Sequence, residues 1–377
     1  MMSCTYLRRA LSVAAAALLI GQSGCAQLVS TPMRTAGKSE CLGYYTIEVP
    51  GEFEYALMSN FSQGLGAWGS EIRLRLTDLE QQELFISQPA GAAEIVKGME
   101  ARNAERQREI DDVSERLFET KPTQDALRRV LKDKLSELHL FEAIPQRDAI
   151  SRIEKERLAL HALVNGNIFY TTLPPQGTPA QTLDAFLSHY KPRALGEVPS
   201  GPGVCVPYGL FTGEKQPATI GLNIRLKDQP DIVVFLLARD AATHEPEDPR
   251  KLLDGLTPAS TFFGSKKVVP VHAIRPLRPI KIDGNEGLGS FVRVIRKTVA
   301  DPSRAFNNAA DNDEDWGYFA YIPGRSGGKP GDSFNLEFKV ERFGRFAKRP
   351  MTEGQFRDLV MQIAASIKRR PGAWSQE

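Results

Sequence analysis

Gly324-Arg325-Ser326-Gly327-Gly328 satisfies G-x-S-x-G, the spacing that exposes a nucleophilic serine on a sharp strand-to-helix turn in esterases. That geometry needs a helix directly after the serine. Here Gly327, Gly328, Pro330 and Gly331 follow, and then a strand-like run. The five histidines, His139, His161, His189, His244 and His272, all precede Ser326, whereas the esterase fold places its general base after the nucleophile. Ser326 therefore reads as a hairpin tip, and we expect no catalytic residue.

Asp311-Asn312-Asp313-Glu314-Asp315 opens like a calcium loop, but Trp316 stands where glycine must turn and Ile322 where a bidentate glutamate must bind. The stretch reads as a solvated acidic loop. If it has a function, the residue types favour a protein contact, with Asp311, Asp313 and Asp315 beside an aromatic anchor, Trp316. A core tryptophan at the start of a strand is the alternative. Gly284, Gly287 and Gly289 precede a β-rich run, Phe291 to Ile295, so no helix N-terminus is present to hold a phosphate. The single histidines have no zinc-ligand spacing. We expect no metal and no cofactor.

Arg8 and Arg9, the apolar run Ala10–Ile20 and the small residues up to Cys25 have the layout of an export signal. The run would be roughly 16 Å long as a helix, too short for a ~30 Å hydrocarbon core. Ser23-Gly24-Cys25 ends like a lipobox, so we expect lipidation of Cys25, a periplasmic location and an outer-membrane anchor. Cleavage after Ala26 is the alternative. Export places Cys41 and Cys205 in an oxidising compartment as the two cysteines left in the body. A disulfide between them is expected, closing about 165 residues and contributing roughly 4–5 kcal/mol on the chain-entropy model. Two buried thiols are the alternative.

The elements that must position these groups follow from periodicity. After a tether, 26–40, a strand is expected over Cys41–Val49, ended by Pro50-Gly51, and another at Ile72, Leu74 and Leu76. A long charged helix should cover Ala92 to about Phe118. A second carries Leu127, Val130, Leu131, Leu135 and Leu138 on one face, with His139 beside that stripe. A third helical stretch is expected from about Asp148 to Val164, then a strand at Asn167–Thr171. Thr178-Pro179-Ala180-Gln181 starts a capped helix, with His189 off its buried face. Ile220–Leu226 and Ile232–Leu237 form a hairpin. Residues 240–262 form a loop and a short helix. Strands follow at Leu288–Ile295, Trp316–Ile322 and Phe334–Val340. Thr352 and Gln355 cap a closing helix that Pro371-Gly372 stops.

The body of about 350 residues exceeds what one core usually holds, so two domains are expected. The Pro- and Gly-rich run Lys191–Pro207 puts their junction near residue 200, giving 41–200 and 201–377 after the signal at 1–25. The order of strands and helices favours an α+β fold, each domain an antiparallel sheet packed with helices. A net charge of +2 gives no reason to expect a nucleic-acid partner.

Three stretches together resemble the immunity proteins of type VI secretion lipase effectors. They are Cys41-Leu42-Gly43-Tyr44-Tyr45-Thr46-Ile47-Glu48-Val49-Pro50, Gly203-Val204-Cys205, and the end, with Leu336-Glu337, the Thr352-led helix and Ser366-Ile367-Lys368-Arg369-Arg370-Pro371. The likeness spans residues 41–371. Tyr44 stands where a basic residue is common in the family, and Lys368 replaces an arginine. The resemblance implies two α+β domains arranged like a claw. It also implies a periplasmic protein that binds a cognate secreted phospholipase and blocks its lid and active-site entrance without catalysis. A lipid-anchored serine hydrolase using Ser326 and an envelope scaffold or small-ligand binder are the competing readings.

Overall fold

The structure is a computed structural model that describes residues 37–57, 71–75, 81–214, 218–242, 244–248, 250–251, 269–274, 276–297, 314–325 and 334–374. Residues 1–25, the expected export signal with Cys25, lie outside them. In chain order come β1 (Gly37–Leu42), β2 (Tyr45–Pro50), β3 (Phe53–Tyr55), β4 (Glu71–Arg75) and β5 (Gln81–Pro89). Helices α1 (Ala92–Glu119) and α2 (Asp125–Ser136) follow. Then come β6 (Glu142–Ala143), β7 (Ala149–Glu154), β8 (Arg157–Val164), β9 (Asn167–Leu173), α3 (Pro179–Leu187) and β10 (Tyr190–Pro192). The rest is β11 (Val204–Val206), β12 (Gly209–Phe211), β13 (Thr219–Leu226), β14 (Ile232–Asp240), β15 (Val269–Ile274), β16 (Arg278–Ile282), β17 (Asn285–Lys297), β18 (Glu314–Ile322), β19 (Phe334–Arg342), α4 (Glu353–Ser366) and β20 (Lys368–Arg369).

The fold is α+β, and the strand pairs among the described residues are antiparallel. One sheet of 14 strands runs β15-β17-β18-β19-β14-β13-β4-β5-β9-β8-β7-β6, with β16 on β17 and β3 on β13. Two three-stranded sheets, β1-β2-β20 and β10-β12-β11, complete the set. The large sheet crosses residue 200 where Ile220 of β13 pairs with Ile72 of β4, and Thr35–Glu377 forms one compact unit. Strands on either side of the expected junction near residue 200 thus share one sheet.

Alternation builds the core. Val234 and Leu236 of β14, Leu336, Phe338 and Val340 of β19, and Tyr318 and Ala320 of β18 turn into one buried cluster. Helix α4 buries Phe356, Val360, Ile363 and Ala364 in that cluster, and its C-cap residue Ile367 joins them. At ~25 cal/mol per Å² of apolar surface, that face contributes several kcal/mol. Its start is closed by reciprocal bonds: Gln355 N donates to Thr352 Oγ1 (3.2 Å), and Thr352 N donates to Gln355 Oε1 (2.8 Å). Thr178 and Gln181 close α3 in the same way (3.3 and 2.8 Å).

Several elements differ from the sequence expectation. The tether ends earlier, because Gly37 already pairs with Pro50 in β1–β2 and Glu40 is buried. The single strand over 41–49 is instead a hairpin. Gly43-Tyr44 makes its two-residue turn, with Gly43 in the left-handed region at φ +61°. The stretch 148–164 is not helical but the β7–β8 hairpin, with Glu154 opposite Arg157. Its turn residues, Lys155 (φ 44°) and Glu156 (φ 66°), take the left-handed conformation that a two-residue hairpin demands. Neither is a residue type that announces such a turn. On α2, only Leu131 of the expected stripe is buried; Leu127 and Val130 face water. His139 is exposed. His189 is half-buried, its Nδ1 3.0 Å from the Thr212 carbonyl. Residues 252–262, Leu76 and Ser326 lie outside the described residues.

Cys41 and Cys205 form a buried disulfide, Cα–Cα 5.8 Å, across 164 residues. Around it, Gly43 N donates to the Cys205 carbonyl (3.0 Å) and Cys205 N to the Gly43 carbonyl (2.9 Å). Replacing both cysteines by alanine should lower the unfolding free energy by about 2–5 kcal/mol. Guanidinium denaturation without reductant checks this. An unchanged midpoint would mean that the surrounding hydrogen bonds alone hold the hairpin.

Candidate functional site

Two places stand out: a buried polar clasp around the disulfide, and the helical hairpin α1–α2. In the clasp, Glu40 of β1 is wholly buried and faces Arg193, which follows β10; Arg193 Nη2 lies 2.5 Å from Glu40 Oε1. Tyr55 OH donates to Glu40 Oε1 (2.8 Å) and accepts from Arg193 Nη2 (2.8 Å). The guanidinium also donates to the carbonyls of Cys41 (2.9 Å), Glu197 (3.0 Å) and Gly209 (3.1 Å). Gly196 N donates to Glu40 Oε2 at 2.7 Å. Burial opposes the charge on Arg193, but Tyr55 and Glu40 outweigh it and hold its pKa above the ordinary range.

A second arginine closes the other end. Arg370 N donates to the Tyr44 carbonyl (2.8 Å), and its guanidinium donates to the carbonyls of Pro199 (3.0 Å), Gly201 and Gly203. Gly203 N donates to the Ala373 carbonyl at 2.9 Å. A side chain on Gly203 (φ +133°) would meet the Phe211 carbonyl oxygen at 2.4 Å, so glycine is required there. Tyr44 OH donates to Glu214 Oε2 (2.9 Å) and accepts from Ala218 N (2.6 Å). Burial pushes Glu214 up to about 8, against the opposing effects of Tyr44 and Arg370.

The hairpin is built differently. The 28 residues of α1 span ~42 Å. Its first half docks on the sheet through Ile95, in a cluster with Phe141, Ile150, Ala159 and Ile168. Asn103 fixes that docking: its Nδ2 donates to the Phe141 carbonyl (2.8 Å), and its Oδ1 accepts from Phe141 N (2.7 Å). The second half faces α2. Lys134 pairs with Glu109 (3.2 Å), and Arg128 Nη1 donates to the carbonyls of Thr120 (2.7 Å) and Leu117 (3.4 Å), closing the end of α1. Each helix buries one residue along this seam, Val113 and Leu131. A groove of about 470 Å³ opens between the hairpin and the β7–β8 turn, lined by Arg106, Glu109, Lys134, Glu154, Lys155 and Arg157 among others. Both signs of charge meet there.

Of the sequence candidates, Asp311 and Asp313 lie outside the described residues. The structure buries the other two. Asp315 Oδ1 accepts from Gly344 N at 2.8 Å. Trp316, 7% exposed, donates from Nε1 to Glu314 Oε1 (2.5 Å), lies 5.8 Å from the Phe356 ring and is covered by the Arg342 guanidinium at 4.5 Å. Asp315 and Trp316 thus tie the sheet to the segments packed against it. His161 is buried on β8 beside Phe141 and Tyr170, at ring distances of 5.0 and 4.6 Å. Burial, with Arg102 and Arg152 nearby, pushes its pKa down to about 3. No group of three or more metal-ligating side chains occurs among the described residues.

With this geometry in hand, the chain can be set beside known proteins. It matches no protein-family model and no curated protein. It is similar to solved structures at low identity. One is the immunity protein TplEi of the T6SS from Pseudomonas aeruginosa complexed with "L" peptide: 12% identity, 89% of this chain, 99% of that chain, TM-score 0.46. The apo form of TplEi gives 12%, 90%, 100% and 0.44. The Tle4–Tli4 complex gives 12%, 90%, 99% and 0.46.

His161 and Glu214 set a pH profile. His161 falls from an ordinary 6.5 to about 3 on folding, so its neutral burial supports the fold above pH 6.5 and is lost as pH drops toward 3. Glu214 rises from 4.5 to about 8, so its contribution is complete below pH 4.5 and lost as pH rises toward 8. Taken alone, the two leave a plateau between pH 4.5 and 6.5, where their slopes oppose. Glu214→Gln should flatten the alkaline limb and His161→Leu the acid limb in denaturant titrations at stepped pH. Limbs unchanged in both variants would assign the profile to other groups. In the clasp, Arg193→Met should cost about 3–5 kcal/mol, because it strands Glu40. Adding Glu40→Met should restore part of that loss in the same assay.

Proposed function

We propose that this chain is a periplasmic immunity protein that binds and inhibits a secreted phospholipase of a type VI secretion system, covering its lid and active-site entrance without catalysis. The observation that carries the reading is how the three resembling stretches sit in the fold. They are separated by about 150 residues each in sequence, yet they meet. Cys41 is bonded to Cys205, Tyr45 pairs with Arg369, Thr46 pairs with Lys368, and Arg370 reaches the carbonyls of Gly201 and Gly203. Isolated coincidences of residue type would not converge on one clasp. The lipid anchor at Cys25 fits this role, holding the protein in the compartment where such an effector acts.

A protein of this kind needs a complementary surface and no reactive group. The test uses residues 27–377 immobilised against recombinant phospholipases exported by its own organism, followed by a lipase assay on each one retained. One enzyme should bind stoichiometrically and lose activity in the complex. Ester hydrolysis by the chain itself, abolished by Ser326→Ala, together with no lipase retained, would overturn the reading in favour of a hydrolase.

A further inference from the structure

Phe118 is held in water. It is 91% exposed, the most exposed of the large apolar side chains among the described residues. Burying a phenylalanine is worth roughly 1.5–3 kcal/mol, and no contact among the described residues collects it. Helix geometry explains the exposure: five residues after buried Val113, Phe118 lies about 140° round α1 and points away from the seam with α2. That placement is held firmly. The end of α1 is closed by Arg128 and by Thr120 Oγ1, which donates to the Arg116 carbonyl at 2.6 Å. The ring is thus presented by a capped helix and not by a loose loop.

Its nearest neighbours on the outer face are mostly acidic, with Arg108 and Lys121 at the two ends of that face. On the same outer face, Asp111, Glu115 and Glu119 are exposed, seven and three residues before Phe118 and one after it. Over Asp111–Glu119 the chain carries four carboxylates, Asp112 included, against Arg116 alone. An aromatic ring in an acidic collar complements a partner surface that is apolar and basic. An enzyme that works on bilayer phospholipid docks on a surface of phosphates over acyl chains, and protein surfaces that bind anionic lipid pair apolar side chains with Lys and Arg. Resting on the immunity reading above, we infer that the outer face of α1 around Phe118 docks on the lipid-docking surface of the partner phospholipase, standing in for the anionic bilayer. Phe118 fills the place of acyl chains, and Asp111, Glu115 and Glu119 the place of phosphates.

The test titrates residues 27–377 against the phospholipase retained in the binding assay. Phe118→Ala and Phe118→Glu should weaken binding at least tenfold while leaving the melting temperature unchanged, since the ring is 91% exposed. Asp111→Lys with Glu115→Lys should slow association, and raising salt should slow the wild type more than this variant. Phosphatidylglycerol vesicles should displace the wild-type chain from the enzyme, and phosphatidylcholine vesicles should not. Wild-type affinity in all variants would overturn the inference while leaving the immunity reading intact. Phe118-dependent self-association with unchanged enzyme binding would reassign the face to a second copy and also overturn it. Retention of no phospholipase by the wild-type chain would remove the reading on which the inference rests.

Discussion

The buried ion pair of Arg193 with Glu40 is the constraint around which the rest is arranged. Neither group could be taken out of water alone. Each is compensated by a full set of partners: Tyr55, two backbone N–H groups at Glu40, and carbonyls of three separate segments at Arg193. Buried charge tolerates little misplacement, because an unpaired carboxylate or guanidinium costs several kcal/mol. The pair therefore specifies where β1 lies relative to the 190–211 segment. The disulfide then joins chain already held in register, and Arg370 extends the same logic to the C-terminal end. Apolar packing alone would leave these irregular, glycine-rich segments far less determined.

The large sheet and the clasp divide the work of folding between them. The sheet stabilises through alternation, area and cross-strand pairing, properties spread over many residues and tolerant of change. The clasp depends on a few polar atoms at fixed distances and on glycines such as Gly43 and Gly203 that allow close backbone approach. Helix α4 belongs to both. Its apolar face enters the common core, and the turn after it delivers β20 and Arg370 to the clasp.

How much of this could be read from the chain depended on whether the signal was local. The helix starts at Thr178 and Thr352 are spelled out by residues three apart, and the structure shows them. Strict alternation in Ile220–Leu226 and Phe334–Val340 likewise marks strands correctly. The stretch 148–164 misled because Ile150, Ile153, Leu158 and Leu160 fit helical spacing nearly as well as two short strands. The reversal at Lys155-Glu156 is decided by β8 pairing with β9, not by local preference. Glu40 looked like part of a polar tether, since nothing near it in sequence reveals Arg193, 153 positions away. Trp316 was ambiguous for the opposite reason: an aromatic beside acids fits an interface or a core, and the choice is made by Phe356 and Arg342, both remote in sequence. Phe118 marked only the end of a charged helix in the sequence, and its exposure follows from where α2 packs.

The pairing of β2 with β20 has a consequence for the order in which the chain can fold. In synthesis from the N- to the C-terminus, residues 45–46 emerge long before residues 368–370. The N-terminal hairpin must therefore wait for some 320 residues before one of its edges is satisfied, which places the clasp among contacts of very high sequence separation. Such contacts carry the largest loop-closure entropy and form late. Cys41 waits in the same way, though only across the 164 residues that separate it from Cys205, so the disulfide can close before β20 arrives.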